Sequence, residues 1–108
     1  MEWIFDHSHN DTVRYTLGQP AIGKGKRNLV CFGINPSTAR PNDLDNTLKS
    51  VERIAKRAGY DGWIMLNVYP QRATNPNDLH TELDEDIHNK NVQHIQKVLV
   101  EYNATILA

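Results

Sequence analysis

Asn28–Thr38 reads NLVCFGINPST. Leu29 to Ile34 is an unbroken apolar run between polar residues. That pattern suits a strand buried on both faces, and such strands belong to parallel sheets covered by helices. Asn35, Pro36, Ser37 and Thr38 then follow with no charged residue among them. An exit from a buried strand onto uncharged hydrogen-bonding groups marks the rim where such sheets bind ligands.

Outward from this stretch the periodicity changes. In NTLKSVERIAKRAGY, Leu48, Val51, Ile54, Ala55 and Ala58 recur at steps of three and four, which predicts an amphipathic helix with a dry face. Asp45 or Asn46 would cap its start and Gly59 would close it. WIMLNVY, Trp63 to Tyr69, is a second buried run. Strand, helix and strand in this order make a βαβ unit with a right-handed crossover. Upstream, VRYTL alternates Val13, Tyr15 and Leu17 with Arg14 and Thr16, the mark of a half-buried strand. Downstream, Ile87, Asn91, Ile95, Val98, Leu99 and Tyr102 trace another helix, and ATILA opens a further parallel strand.

The expected fold is a three-layer α/β/α sandwich around a central, mainly parallel sheet. A chain of 108 residues holds one such domain, spanning 1–108. Ending in a newly opened buried strand implies that the fold continues past Ala108. The 39% hydrophobic and 23% charged content is ordinary for a soluble protein. The longest apolar run is too short to cross a bilayer, and no basic leader precedes an apolar block. Cys31 is the single cysteine, so no internal disulfide is possible, and a cytoplasmic location is the default. No cofactor is expected.

The net charge of −1 excludes a general pull toward nucleic acid or anionic membrane. The charge is uneven, at +3 over residues 1–60 and −4 over 61–108. KGKR, Lys24 to Arg27, and KRA, Lys56 to Ala58, are the local basic clusters. Nucleic acid or a nucleotide is therefore allowed as a partner.

Two loops leave the carboxyl ends of the buried strands: Asn35 to Thr47, and Pro70 to Asp78 preceded by Asn67. Parallel strands put both on one rim. The candidate site collects Asn35, Ser37, Thr38, Asp43, Asp45, Asn67, Arg72, Thr74 and Asn75. Asn35 carries a donor and an acceptor suited to a base edge or a water. Ser37 and Thr38 with backbone N–H groups suit a phosphate, and Arg72 suits bidentate phosphate contact. Asp43 and Asp45 offer a base or a metal ligand. Each has a bland counterpart: NPST is good turn chemistry, Asp45 is a sufficient N-cap, and TNPND makes a plain turn.

His7, His9 and Asp11 form an H-x-H-x-D cluster with metal-ligand spacing, though a polar terminus is the commoner explanation. His80, His88 and His94 suit solvated positions. Cys31 inside a central strand is a small core hydrophobe before it is a nucleophile. GKGK lacks the spacing of a phosphate-binding loop.

RYTL at 14–17, GINPSTA at 33–39, DNT at 45–47, GY at 59–60 and LNVYPQRATNPNDL at 66–79 resemble the domain-of-unknown-function family 1643. The likeness covers nearly the whole chain in the family's order, with Asn46 where a proline is usual. The family pattern usually runs on past the ATILA strand. It brings no established activity. GINPS is more distantly similar to the GINPG motif of the mismatch-specific uracil-DNA glycosylases, whose superfamily shares the α/β/α sandwich. That resemblance implies that Asn35 positions a hydrolytic water and that a nucleobase is handled, with hydrolysis of an N-glycosidic bond. Ser37 stands where those enzymes have glycine, which lets a ligand approach the backbone closely. A non-catalytic module for a nucleotide or other small phosphorylated ligand uses the same rim and is the alternative.

Overall fold

The computed structural model describes residues 3–8, 13–34, 36, 39–70, 85–102 and 104–107. They form β1 (Ile4–Ser8), β2 (Val13–Gln19), β3 (Asn28–Gly33), α1 (Asn46–Arg57), β4 (Gly62–Asn67), α2 (Glu85–Glu101) and β5 (Ala104–Leu107). The strands make one sheet in the order β1-β2-β4-β3-β5. β3 pairs in parallel with β4 and with β5. β2 pairs antiparallel with β1 and with β4. The architecture is mixed α/β, and the sheet is mixed rather than mainly parallel.

The antiparallel part has a simple cause. Residues 20–27 between β2 and β3 are too few for the crossover that parallel strands need. β3 must therefore run back against the direction of β2, and β4, parallel to β3, meets β2 antiparallel. β1 is an element that the alternation of IFDHS does not announce.

Along β3 and β4 successive residues alternate between two clusters. Leu29, Cys31, Trp63 and Met65 pack with Leu48, Val51 and Ala55 of α1. Val30, Ile64 and Leu66 pack with Val98 of α2. The two helices thus cover opposite faces. Because both faces are covered, β2 is buried from Val13 to Gly18, and Arg14 and Thr16 do not reach solvent as simple alternation implies. On α1 the dry stripe is Leu48, Val51 and Ala55, while Ile54 is exposed. Gly59 closes the helix with φ 82°, a left-handed conformation that costs glycine little. No helix among the described residues is long and apolar enough to cross a membrane.

Asn28 anchors the entry to β3. Its fully buried amide accepts from the Ala21 N–H at 2.7 Å and donates to the Ala21 carbonyl at 2.9 Å. This closes the loop that the basic cluster occupies. Asn28→Ala removes both bonds and leaves backbone groups of Ala21 without partners. A loss of about 1–3 kcal/mol is expected in urea denaturation. A loss under about 0.5 kcal/mol would mean that water replaces the amide.

Candidate functional site

The carboxyl ends of β3 and β4 lie side by side, with Gly33 opposite Asn67. The pairing continues outward: Val68 N–H donates to the Gly33 carbonyl at 2.8 Å and Tyr69 N–H to Ile34 at 2.9 Å. β4 lies on one side of β3 and β5 on the other. The chain leaves β3 toward α1 on one face and leaves β4 toward α2 on the opposite face. Diverging connections of this kind define the switch point where open α/β sheets form a ligand crevice.

Asn67 stands at that point. It is fully buried, and among the described residues neither its amide nitrogen nor its amide oxygen has a hydrogen-bond partner. Two positions beyond Met65, it shares the α1 side of β4. Its backbone is held from the other side. The buried Asn91 of α2 donates to the Asn67 carbonyl at 2.9 Å and reaches the Val68 carbonyl at 3.4 Å. The strand end is thus fixed while its side chain is unpaired. Buried polar groups in native proteins are nearly always bonded, so each orphan calls for an explanation. The hydroxyl of Thr16 and the Asn91 amide oxygen are likewise buried without a partner among the described residues.

The carboxylates are placed differently. Asp45 accepts from Leu48 N–H at 2.9 Å and caps α1, as its position before the helix implies. Asp43 is exposed on a tight turn, where Arg40 and Asp43 exchange backbone bonds at 3.1 and 3.0 Å. Asn42 takes φ 62° in that turn, after Pro41, the geometry that favours proline followed by a left-handed residue. Replacing Asp45 by alanine is expected to cost about 1 kcal/mol through loss of the cap. Serine at the same position should restore most of it, as read from denaturation midpoints. Asn35, Ser37, Thr38, Arg72, Thr74 and Asn75 lie outside the described residues.

Other groups fall away from the rim. The KGKR loop precedes β3 and sits at the opposite end of the sheet from the β3 and β4 exits. Arg27 donates to the Gly59 carbonyl at 3.0 Å and lies over the Tyr60 ring, so it serves the α1–β4 junction. Cys31 is a core residue, and burial pushes its thiol pKa up, the opposite of what a nucleophile needs. His94 is paired, with Nδ1 at 3.5 Å from an Asp6 carboxylate oxygen and its ring stacked on Tyr15. Among the described residues no three His, Cys, Asp or Glu side chains group to hold a metal. His9 and Asp11 are outside those residues. A cavity of about 260 Å³ runs between β1 and the second half of α2, bordered by Phe5, Asp6, His94, Lys97 and Tyr102. It lies along the flank of the hairpin rather than at the β3 and β4 exits.

Two residues of the rim escape a reading of loops alone. Asn91 is legible as a polar residue in an otherwise dry helical stripe. Arg14 is buried, and its guanidinium donates to the Ala39 carbonyl at 3.1 Å. Strict alternation sends Arg14 to the wrong face and gives no sign of this contact.

A five-stranded mixed sheet with a helix on each face defines a mixed α/β domain. A family model described as "Protein of unknown function (DUF1643)" matches residues 14–108, and the chain belongs to that family. No curated protein and no solved structure matches it. The family description names no activity, and the glycosylase likeness of GINPS rests on the motif alone.

Proposed function

We propose that this protein recognises a nucleobase, or a cyclic amide like one, at the crevice between β3 and β4, in an α/β/α layered domain. The observation that carries this reading is the buried, unpartnered amide of Asn67 at the switch point. An asparagine amide offers one donor edge and one acceptor edge, the complement of a base edge with adjacent acceptor and donor. Leaving both unsatisfied costs roughly 1–3 kcal/mol per group, and a bound base would recover that cost.

The charges favour the base over a phosphorylated ligand. Asp45 sets a carboxylate at the start of α1, and Asp43 adds a second one two residues earlier. A carboxylate at a helix start repels phosphate and already occupies a backbone N–H that would otherwise hold it. The hydrolytic extension of the reading gives Asn35 the attacking water and Asp43 the base that activates it, with Ser37, Thr38, Arg72, Thr74 and Asn75 as proposed ligand-binding residues. The base would enter the crevice flipped out of its stack.

Calorimetric and thermal-shift titration with uracil, thymine, hypoxanthine and 1,3-dimethyluracil tests the binding. Saturable binding of at least one base is expected, with none for 1,3-dimethyluracil, both of whose N–H donors are blocked. Equal response to 1,3-dimethyluracil, or none to any base, removes the reading. Release of free base from uracil-containing DNA tests the hydrolytic extension, and binding without release leaves a recognition module.

A further inference from the structure

The β1–β2 pairing slips where Asp6 faces Thr16 and His7 faces Arg14. Tyr15 is the extra residue, so β2 carries a bulge there, and a bulge shifts the facing of the side chains on one side of it relative to those on the other. The effect is visible in the contacts. Leu17 lies in the cluster of α1, and strict alternation would place Tyr15 beside it. Instead Tyr15 packs with Ile87 and stacks on His94, both of α2. Arg14 is turned the other way and reaches Ala39, which packs on the α1 side.

Arg14 then touches both exits of the rim. Its guanidinium holds the Ala39 carbonyl at 3.1 Å, at the entry to the Arg40–Asp43 turn. Its backbone N–H holds the Pro70 carbonyl at 2.9 Å, just past the end of β4. One residue of a third strand thus ties the connection out of β3 to the connection out of β4. A guanidinium is always charged, and burying it is tolerated only in fixed hydrogen-bonded geometry.

We propose that Arg14, aimed by the bulge at Tyr15, is a positioning residue that couples the Ala39–Asp43 turn to the end of β4, so that the two walls of the crevice open and close together. A ligand held at Asn67 would then also order the turn that carries Asp43. This second consequence rests on the proposed base binding, whereas the coupling itself does not.

Native-state hydrogen exchange tests the coupling without any ligand. In Arg14→Lys and Arg14→Met, the amides of Arg40, Asp43 and Tyr69 should exchange at least tenfold faster, with amides in the middle of α1 changed less than twofold. A uniform rise across α1 and the turn would mean that Arg14 only contributes to global stability, and would overturn the proposal. If neither variant folds, the natural chain still decides. The Arg14 and Asp43 amides should share one opening equilibrium and one denaturant dependence, and independent opening would overturn it. With uracil as probe, exchange at Asp43 should slow in the natural chain and not in Asn67→Leu. Failure of uracil to bind while the amides open together would remove the base reading and leave the coupling standing.

Discussion

Asn67→Leu is expected to make the protein more stable by about 1–2 kcal/mol and to abolish binding of a base. Leucine has the branched outline of asparagine without its polar atoms. In the folded protein the Asn67 amide is fully buried and bonds to none of the described residues, so folding strips it of water with no return. An apolar side chain of similar shape avoids that cost, and its surroundings already include Met65 and Trp63 on the same side of β4. The Asn91 bonds go to backbone carbonyls of Asn67 and Val68 and survive the change. Urea denaturation and base titration of the same variant give both readings. A variant that loses more than about 1 kcal/mol would show that the amide has a structural task. The combination of gained stability and lost binding is the signature of a residue kept for a ligand.

Gly18→Ala should be among the most damaging single changes, at about 3 kcal/mol or more. Gly18 faces Ile64 across the β2–β4 pairing. A Cβ there would run into the Trp63 carbonyl oxygen and approach the Ile64 Cα at 2.8 Å. Both are backbone atoms of a central strand, and they cannot yield without parting β2 from β4. Among the described residues, β2–β4 is the strand pairing that joins the β1–β2 hairpin to the parallel strands. For a domain of this size such a loss corresponds to a fall of roughly 12 °C or more in Tm. A fall of under about 4 °C would show that the joint is looser than its geometry indicates.

The fold divides into parts that local pattern determines and parts that it does not. The apolar runs at Leu29 and Trp63, the Leu48–Val51–Ala55 stripe, the Asp45 cap and the Gly59 stop all follow from side-chain spacing and backbone preference. They appear in the structure with small shifts at their ends. Direction does not follow from spacing. VRYTL reads the same whether it runs with β3 or against it, and only the short link at residues 20–27 decides. The bulge at Tyr15 depends on the register against β1, a long-range property, so the burial and aim of Arg14 could not be read locally. Asn67 was legible as a rim residue from its place after WIML. That its amide is unpartnered needs the surrounding chain. The KGKR cluster shows the converse error, since charge composition carries no address and the loop closes the far end of the sheet.

That separation has a practical side. Residues 22–27 are exposed, and Gly23 and Gly25 both adopt positive φ in a turn that ends before the Asn28 anchor. A dye, a surface tether or a short inserted peptide placed between Gly23 and Gly25 would sit at one end of the sheet with the exits of β3 and β4 at the other. Immobilised in this way, the protein would present the ends of β3 and β4 outward to solution, and one probe chemistry would serve for every variant at the rim.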